Sequence, residues 1–470
     1  MNILLVEPSF PYPTKSKNKA GSVHKNFVPL GLLKLGAMHK AKNNKVLLVR
    51  GNKDKSEIGF VPDEVLVTSL FTYWSKQVWE SIDHYRQLFP RAKITLGGIY
   101  ATLFAKNPKF IERCKAASVE VFSGIHPEAE KFYPDYSLIS KVEYHATHMM
   151  RGCMRRCAFC GTWRIEPDRT NKSLEDILQE LKAINKSKVV FYDNNLLSNP
   201  YIKQILQGLG ELRIKRHPVV FESQSGFDGR LLEGDPELAG LIRKARFQNI
   251  RIAWDGPVED KASIKKQLDL LVNAGYKAKD ISVFMIYNFE PPYEGMLSKL
   301  EACREWGVQI TDCRFRPLTQ EHDNYSPHMR NGQPEGSFYV HKKAEWTDDK
   351  IRDFRHKVRE HNIWVRYAME KGLEYDKKME RWSAINNTYK YFNLKRPPFM
   401  SRIENSQALQ ERIRLLTRIK HYQVENSIPP PDLSSYRKPE LDSYLQEQVV
   451  CYGLKGASDE KKKKHCKVQP

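Results

Sequence analysis

Three cysteines within eight residues are the side chains in this chain best placed to do chemistry. They are Cys153, Cys157 and Cys160, in the run Arg151-Gly-Cys-Met-Arg-Arg-Cys-Ala-Phe-Cys-Gly-Thr-Trp163. Neither one helical face nor one strand can present three thiolates at that spacing, so the segment must be a loop wrapped around a common centre. An iron–sulfur cluster is the centre such a loop suits. A cubane has four irons, so three cysteines leave one iron open to a small molecule. A disulfide framework does not suit the composition: the chain has 8 cysteines in 470 residues, the usage of a reducing cytoplasm. The first residues, Met1-Asn-Ile-Leu-Leu-Val, carry neither the charged nor the long apolar region of a secretion signal. Structural zinc usually takes four ligands as two separated pairs. Here the other cysteines are scattered, and a zinc reading would need His148 as the fourth ligand.

The elements that must position this loop alternate. Strands are predicted at 142–148, leading into the loop, and then at 189–192, 219–222, 250–253, 281–286 and 308–315. Helices separate them, the first opened by Ser173-Leu-Glu-Asp176, which reads as a capping box. Strand–helix alternation at this interval means βαβ units and a parallel sheet. Six units make a partial barrel, with the chemistry at the carboxyl ends of the strands. Before them, strands at 3–6, 45–49, 64–67, 92–96 and 117–122, with helices at 30–38 and 76–88, read as a five-stranded doubly wound domain.

The cysteine spacing, with Phe159 just before the last cysteine, resembles the cluster loop of the radical S-adenosylmethionine (radical SAM) superfamily. That resemblance implies a 4Fe-4S cluster on Cys153, Cys157 and Cys160, with S-adenosylmethionine (SAM) chelated by the open iron. It further implies reductive cleavage of SAM to a 5′-deoxyadenosyl radical, fed by an electron donor such as flavodoxin or ferredoxin. Carried along the strand ends, it gives Asp193, Asn194 and Asn195 a contact to the SAM amino group and Asp255, in Ala253-Trp-Asp-Gly256, one to the ribose hydroxyls. Phe159, Glu222 and Gln224 complete the expected cofactor set. The run Met285-Ile-Tyr-Asn-Phe-Glu290 lacks the glycines usual at its place in the family.

The N-terminal half resembles the subclass of that superfamily with a cobalamin-binding domain. The resemblance rests on Pro29-Leu-Gly-Leu32, Gly97-Gly98 followed by Ala101-Thr102, and Pro134-Asp-Tyr-Ser137. It places a ligand against Gly97 and Gly98 and admits cobalamin as a cofactor. The usual Asp-x-His-x-x-Gly motif is absent, and His24 and His126 stand in other contexts. Two reactions follow: cobalamin-dependent methyl transfer, or, with cobalamin lost, a lyase, cyclase or rearrangement reaction on a nucleoside or tRNA-derived substrate. The methylthiotransferases of the superfamily need three further cysteines before the loop, and only Cys114 precedes it here.

The expected organisation is an α/β chain. A Rossmann-like domain spans 1–140, a partial (β/α)6 radical SAM barrel 141–320 and a mainly helical extension 321–455, with a basic disordered tail at 456–470. Helices are read at 348–367, 376–391 and 408–424. A net charge of +21 draws anionic partners, a small anionic substrate or nucleic acid, although no RNA-binding appendage is recognisable. Arg314 and Arg316, at the end of the last strand, are expected to face an anionic group on the substrate. The reading is of a cytoplasmic protein without membrane contact.

Overall fold

The computed structural model describes residues 1–12, 27–140, 142–325, 334, 336–367, 369, 375–394, 397–398 and 400–454. His24 and the tail at 456–470 lie outside them. The chain divides into two compact units, Met1–Val365 and Arg366–Pro470.

The first unit opens with five parallel strands, β1 (Asn2–Glu7), β2 (Lys45–Arg50), β3 (Glu64–Ser69), β4 (Lys93–Gly98) and β5 (Val119–Val121), in the order β2-β1-β3-β4-β5. β1 is apolar on both faces because both are covered. Leu4 and Val6 pack with α2 (Ser75–Leu88), α3 (Ile99–Phe104) and α4 (Pro108–Ala116), while Ile3 and Leu5 pack with α1 (Leu30–Ala41). The second core also takes in Tyr144, Ala146 and Val190, so the doubly wound domain shares a hydrophobic core with the barrel that follows.

That barrel is six parallel strands in chain order: β6 (His145–Thr147), β7 (Lys188–Phe191), β8 (Val220–Ser223), β9 (Arg251–Ala253), β10 (Ser282–Tyr287) and β11 (Gln309–Arg314). Only single bridges, Phe221 to Phe247 and Phe227 to Ile252, join its two three-stranded halves. Helices α5 (Leu174–Ile184), α6 (Ile202–Glu211), α7 (Glu237–Lys244), α8 (Lys261–Asn273) and α9 (Tyr293–Trp306) lie between successive strands. Ser173 and Asp176 form the capping box expected at α5, each side chain accepting from the other's backbone N–H.

The expected boundary at 320 falls elsewhere. Trp346 and residues Ile351, Phe354 and Val358 of α10 (Asp348–Tyr367) belong to the barrel core. On the same helix, Asn362 accepts from Ile310 N–H at 2.8 Å and donates to Ile310 O at 2.7 Å. It thus does for edge strand β11 what a neighbouring strand would do. The second unit is helical: α11 (Tyr375–Tyr391), α12 (Gln407–Glu425) and α13 (Lys438–Cys451) enclose a core that includes Ile385, Phe392, Leu416, Ile419 and Leu445. Among the described residues, no helix is long and apolar enough to cross a membrane.

Gly98 ends β4 at φ +98°, and a Cβ there would stand 2.1 Å from Ser69 O on β3. Gly98→Ala is therefore expected to destabilise the N-terminal sheet by more than the ~1 kcal/mol of a strain-free glycine exchange. Gly97→Ala should be tolerated, because its Cβ would meet nothing closer than 3.8 Å. Paired thermal melts of the two variants check the contrast.

Candidate active site at the barrel mouth

The cysteine loop leaves β6 and is pinned at its root. Asp193, fully buried beyond β7, accepts from the backbone N–H groups of Met149 (2.9 and 3.0 Å) and Met150 (2.7 Å). Burial pushes this carboxyl up to about 7, against the pull of those two amides. Two antiparallel pairs, Met150 to Asn171 and Arg151 to Thr170, close the base of the loop. Gly152, at φ +76°, turns into it, and its N–H donates to Glu166 Oε2 at 2.7 Å. Glu166 also accepts from Arg151 and from Asn194, each at 3.0 Å. Arg151 reaches further, to Glu130 at 2.7 Å, and Glu130 accepts from Lys34 of α1 at 3.0 Å. The loop is thereby fastened to the doubly wound domain as well as to the barrel.

On this base the sulfurs are dressed with donors. Arg155 N–H donates to Cys153 Sγ at 3.3 Å and Thr162 N–H to Cys160 Sγ at 3.5 Å, with the Thr162 hydroxyl 3.2 Å from the same sulfur. Burial raises the Cys157 thiol, and Cys160 and Cys153 push it the same way, so the three sulfurs share one electrostatic neighbourhood. Among the described residues no group of three or more His, Cys, Asp or Glu side chains converges on a single metal ion. His148, the fourth ligand of the zinc reading, instead meets Arg151 Nη1 through its Nε2 at 3.1 Å. Three sulfurs, two of them with N–H donors, and no fourth protein ligand among the described residues suit a cubane, which takes its thiolates at separate corners and keeps one iron free.

The strand ends fall into two groups. Asn195 Oδ1, Gln224 Oε1 and Asp255 Oδ1 are buried acceptors without a partner, beyond the ends of β7, β8 and β9 respectively. A buried unsatisfied acceptor is costly, and three along one barrel rim point to a ligand that supplies donors. The amino group and ribose hydroxyls of SAM are such donors. Asp255 is pushed up to about 6 by burial, and the nearby Lys299 ammonium opposes that shift. Lys299 of α9 is itself fully buried and donates to Trp254 O (2.9 Å) and Gly256 O (2.5 Å), fixing the backbone on either side of Asp255.

The other expected residues hold structure. Asp193 holds the loop root through the Met149 and Met150 amides. Asn194 takes part in a relay, accepting from the Thr162 hydroxyl at 3.1 Å. Glu222 is locked in a buried ion pair with Arg251 at 2.5 Å and accepts from Asn249 at 2.9 Å. Phe159 packs edge-on against Phe289 at 6.2 Å. Arg314 and Arg316 both pair with Asp323, Arg314 beneath the Tyr325 ring and Arg316 over the Tyr73 ring. Arg314 is on the helix-facing side of β11, and both guanidiniums take part in this internal salt bridge. The sequence reading passed over Glu166, Asp228 and Lys299. Asp228 accepts from Arg155 of the loop (3.0 Å), Arg230 (2.7 Å) and Asn195 (3.1 Å). Lys299 was detectable as a charge on the apolar stripe of Met296, Leu300 and Cys303.

At the carboxyl edge of the N-terminal sheet, two of the backbone donors among the described residues have protein partners. Ala101 N–H donates to Ser69 Oγ and Gly124 N–H to Thr102 Oγ1, each at 3.0 Å. The glycine at 98 answers to the Ser69 backbone, not to a ligand. The segment after β11 docks on this edge: His322 bridges Trp74, Ser75 Oγ donates to Glu321 O, and the Tyr100 hydroxyl donates to the Glu321 carboxylate. His126 stacks on Phe122 and accepts from Ala129 N–H at 3.2 Å.

Residues 147–295 match the family model of the Radical SAM superfamily. The chain therefore carries a radical SAM domain, and the cysteine loop and the first five barrel strands fall almost entirely within it. No curated protein matches the sequence. Among solved structures, one similar chain is the cobalamin-dependent S-adenosylmethionine radical enzyme OxsB, with aqua-cobalamin and S-adenosylmethionine bound. It shares 13% identity over 96% of this chain and 75% of its own, at a TM-score of 0.44. Methylornithine synthase (PylB) shares 11% identity over 56% of this chain and 72% of its own, at a TM-score of 0.30. The assignment rests on the family model and on the geometry of the mouth.

Proposed function

We propose that this chain is a radical SAM enzyme that works without cobalamin and closes its substrate radical by cleavage, cyclisation, rearrangement or hydrogen return. The row of unpartnered buried acceptors beside a three-cysteine loop carries the first half of this reading. When bound, the 4Fe-4S cluster and SAM supply a 5′-deoxyadenosyl radical, and the chain's own residues do the positioning. Cys153, Cys157 and Cys160 hold the cluster, and Glu166 and Asp193 fix the loop that carries them. Asp255 accepts from the ribose hydroxyls, and Asn195 and Gln224 accept from the amino group. The half without cobalamin is supported by the Glu321 segment and the used donors at the edge of the first sheet. Protein produced with hydroxocobalamin available should purify without a stoichiometric corrin spectrum and still release 5′-deoxyadenosine; retained corrin would favour the methyltransferase. An anionic small molecule is the substrate class the basic chain suits, in a cytoplasmic setting with a flavodoxin- or ferredoxin-type electron donor.

The role of Asp255 has a pH signature. Its carboxyl keeps its proton up to about 6, and only the ionised form accepts two hydroxyl hydrogen bonds at full strength. SAM affinity should therefore rise as pH increases through about 6 and level off above it. Asp255→Asn should bind SAM more weakly and lose that step. Equilibrium dialysis of SAM against the reconstituted proteins, from pH 5 to 8, measures both.

A further inference from the structure

The parallel register of the last two strands sets Ile286 of β10 opposite Cys313 of β11. Along β11, Ile310 enters the barrel's outer core, Asp312 meets Arg355 of α10 at 3.5 Å and Arg314 pairs with Asp323, so these three face the helices. Gln309, Thr311 and Cys313 must then face the lumen. Thr311 Oγ1 indeed lies 2.6 Å from Ser282 Oγ of β10, and the Phe284 ring two residues further along β10 lies under the Arg251 guanidinium. Cys313 is the top rung of this inner ladder, nearest the mouth.

Its surroundings are those of a group lining a cavity. Among the described residues, Cys114 and Cys303 are buried and the loop cysteines half-buried, whereas Cys313 is exposed. Yet burial, followed by the Asp312 and Asp255 carboxylates, pushes its thiol up to about 12. Reachable but desolvated, the sulfur keeps its hydrogen at neutral pH. A second observation marks the same spot as a ligand site. Trp254 N–H donates to Phe284 O of β10 at 2.9 Å, which sets Asp255 beside the end of β10, and Asp255 Oδ1 is buried and unpartnered. Asn195, only 5% exposed, offers a further unpartnered buried oxygen on the same rim.

We propose that Cys313 is a hydrogen-atom donor, giving its sulfur-bound hydrogen to a carbon radical formed in the barrel mouth beside Asp255. This rests on the radical SAM reading and narrows it to reactions that end in hydrogen return. In the step, the S–H bond breaks homolytically as a C–H bond forms, which is downhill because S–H is the weaker bond. Cys313 is left as a thiyl radical. One electron from the low-potential donor that also reduces the cluster, and one proton from water, restore the thiol. Because a thiol hydrogen exchanges with solvent, the carbon that is quenched acquires a solvent hydrogen.

The test needs no substrate. Full-length reconstituted protein in D2O, given SAM and dithionite, generates a carbon radical that Cys313 S–D should quench. The mass of the released 5′-deoxyadenosine should show mainly a single deuterium in the wild type. That deuterated fraction should fall severalfold in both Cys313→Ser and Cys313→Ala, at iron content and circular dichroism equal to wild type. Alkylation of wild-type Cys313 by iodoacetamide, followed by peptide mass, should be slowed by SAM. Equal deuterium in wild type and both variants would overturn the proposal, as would alkylation indifferent to SAM. No 5′-deoxyadenosine from any of the three proteins would instead overturn the radical SAM reading, and the hydrogen donor with it.

Discussion

Cys153→Ala, Cys157→Ala and Cys160→Ala combined should strip the protein of iron and bring SAM cleavage to background, the largest functional effect expected here. Reconstituted wild type should hold about four irons per chain and show the brown absorbance of a cubane. The fold should survive the change, because the loop root is held by groups that do not involve sulfur. Asp193 still accepts from Met149 and Met150, and Glu166 still accepts from Gly152 and Arg151. Iron assay, 5′-deoxyadenosine yield and circular dichroism on the same preparations separate loss of cluster from loss of fold. Iron retained at the wild-type level in the triple variant would show that the metal sits elsewhere.

The largest stability effect should come from inside the barrel. Arg251 and Glu222 form a buried ion pair at 2.5 Å, with side-chain exposures of 9% and 1%. Arg251 also donates to Ser223 O at 2.9 Å, so it ties the end of β8 to β9. That is where the sheet ladder is reduced to single bridges. Removing one partner strands the other charge in a low-dielectric interior, so Arg251→Met should cost about 3–5 kcal/mol. Arg251→Met combined with Glu222→Leu should cost clearly less than the two single changes added together, because no orphan charge remains. Urea unfolding of the first unit's transition gives all three values. Additive losses would mean that the pair is not coupled.

Much of this architecture was legible in the sequence, and the remainder was hidden for identifiable reasons. Strands such as Ile3–Val6 and 281–286 are apolar runs bounded by turns, and both are strands of the fold. Long-range pairing was not legible. Glu222 reads as a polar strand end until Arg251, 29 residues later, is seen to face it. Asp193 reads as a ligand because its type and place suit one, yet two backbone amides claim it. Gly98 looked like a ligand approach, and what approaches is Ser69. Helix α13 was overlooked behind Pro429-Pro-Pro431, although Leu441, Leu445 and Val449 recur every fourth residue and are buried. The extension was expected to begin at 321. Nothing local distinguishes Trp346 and Asn362, which serve the barrel, from the charged helices that follow.

The most direct measurement is anaerobic: wild-type protein reconstituted with iron and sulfide, reduced with dithionite and supplied with SAM. The expected result is about four irons per chain and equimolar 5′-deoxyadenosine and methionine, both absent from the triple cysteine variant. A protein that takes up only zinc, or that holds its cluster and leaves SAM intact under reduction, would contradict the central claim.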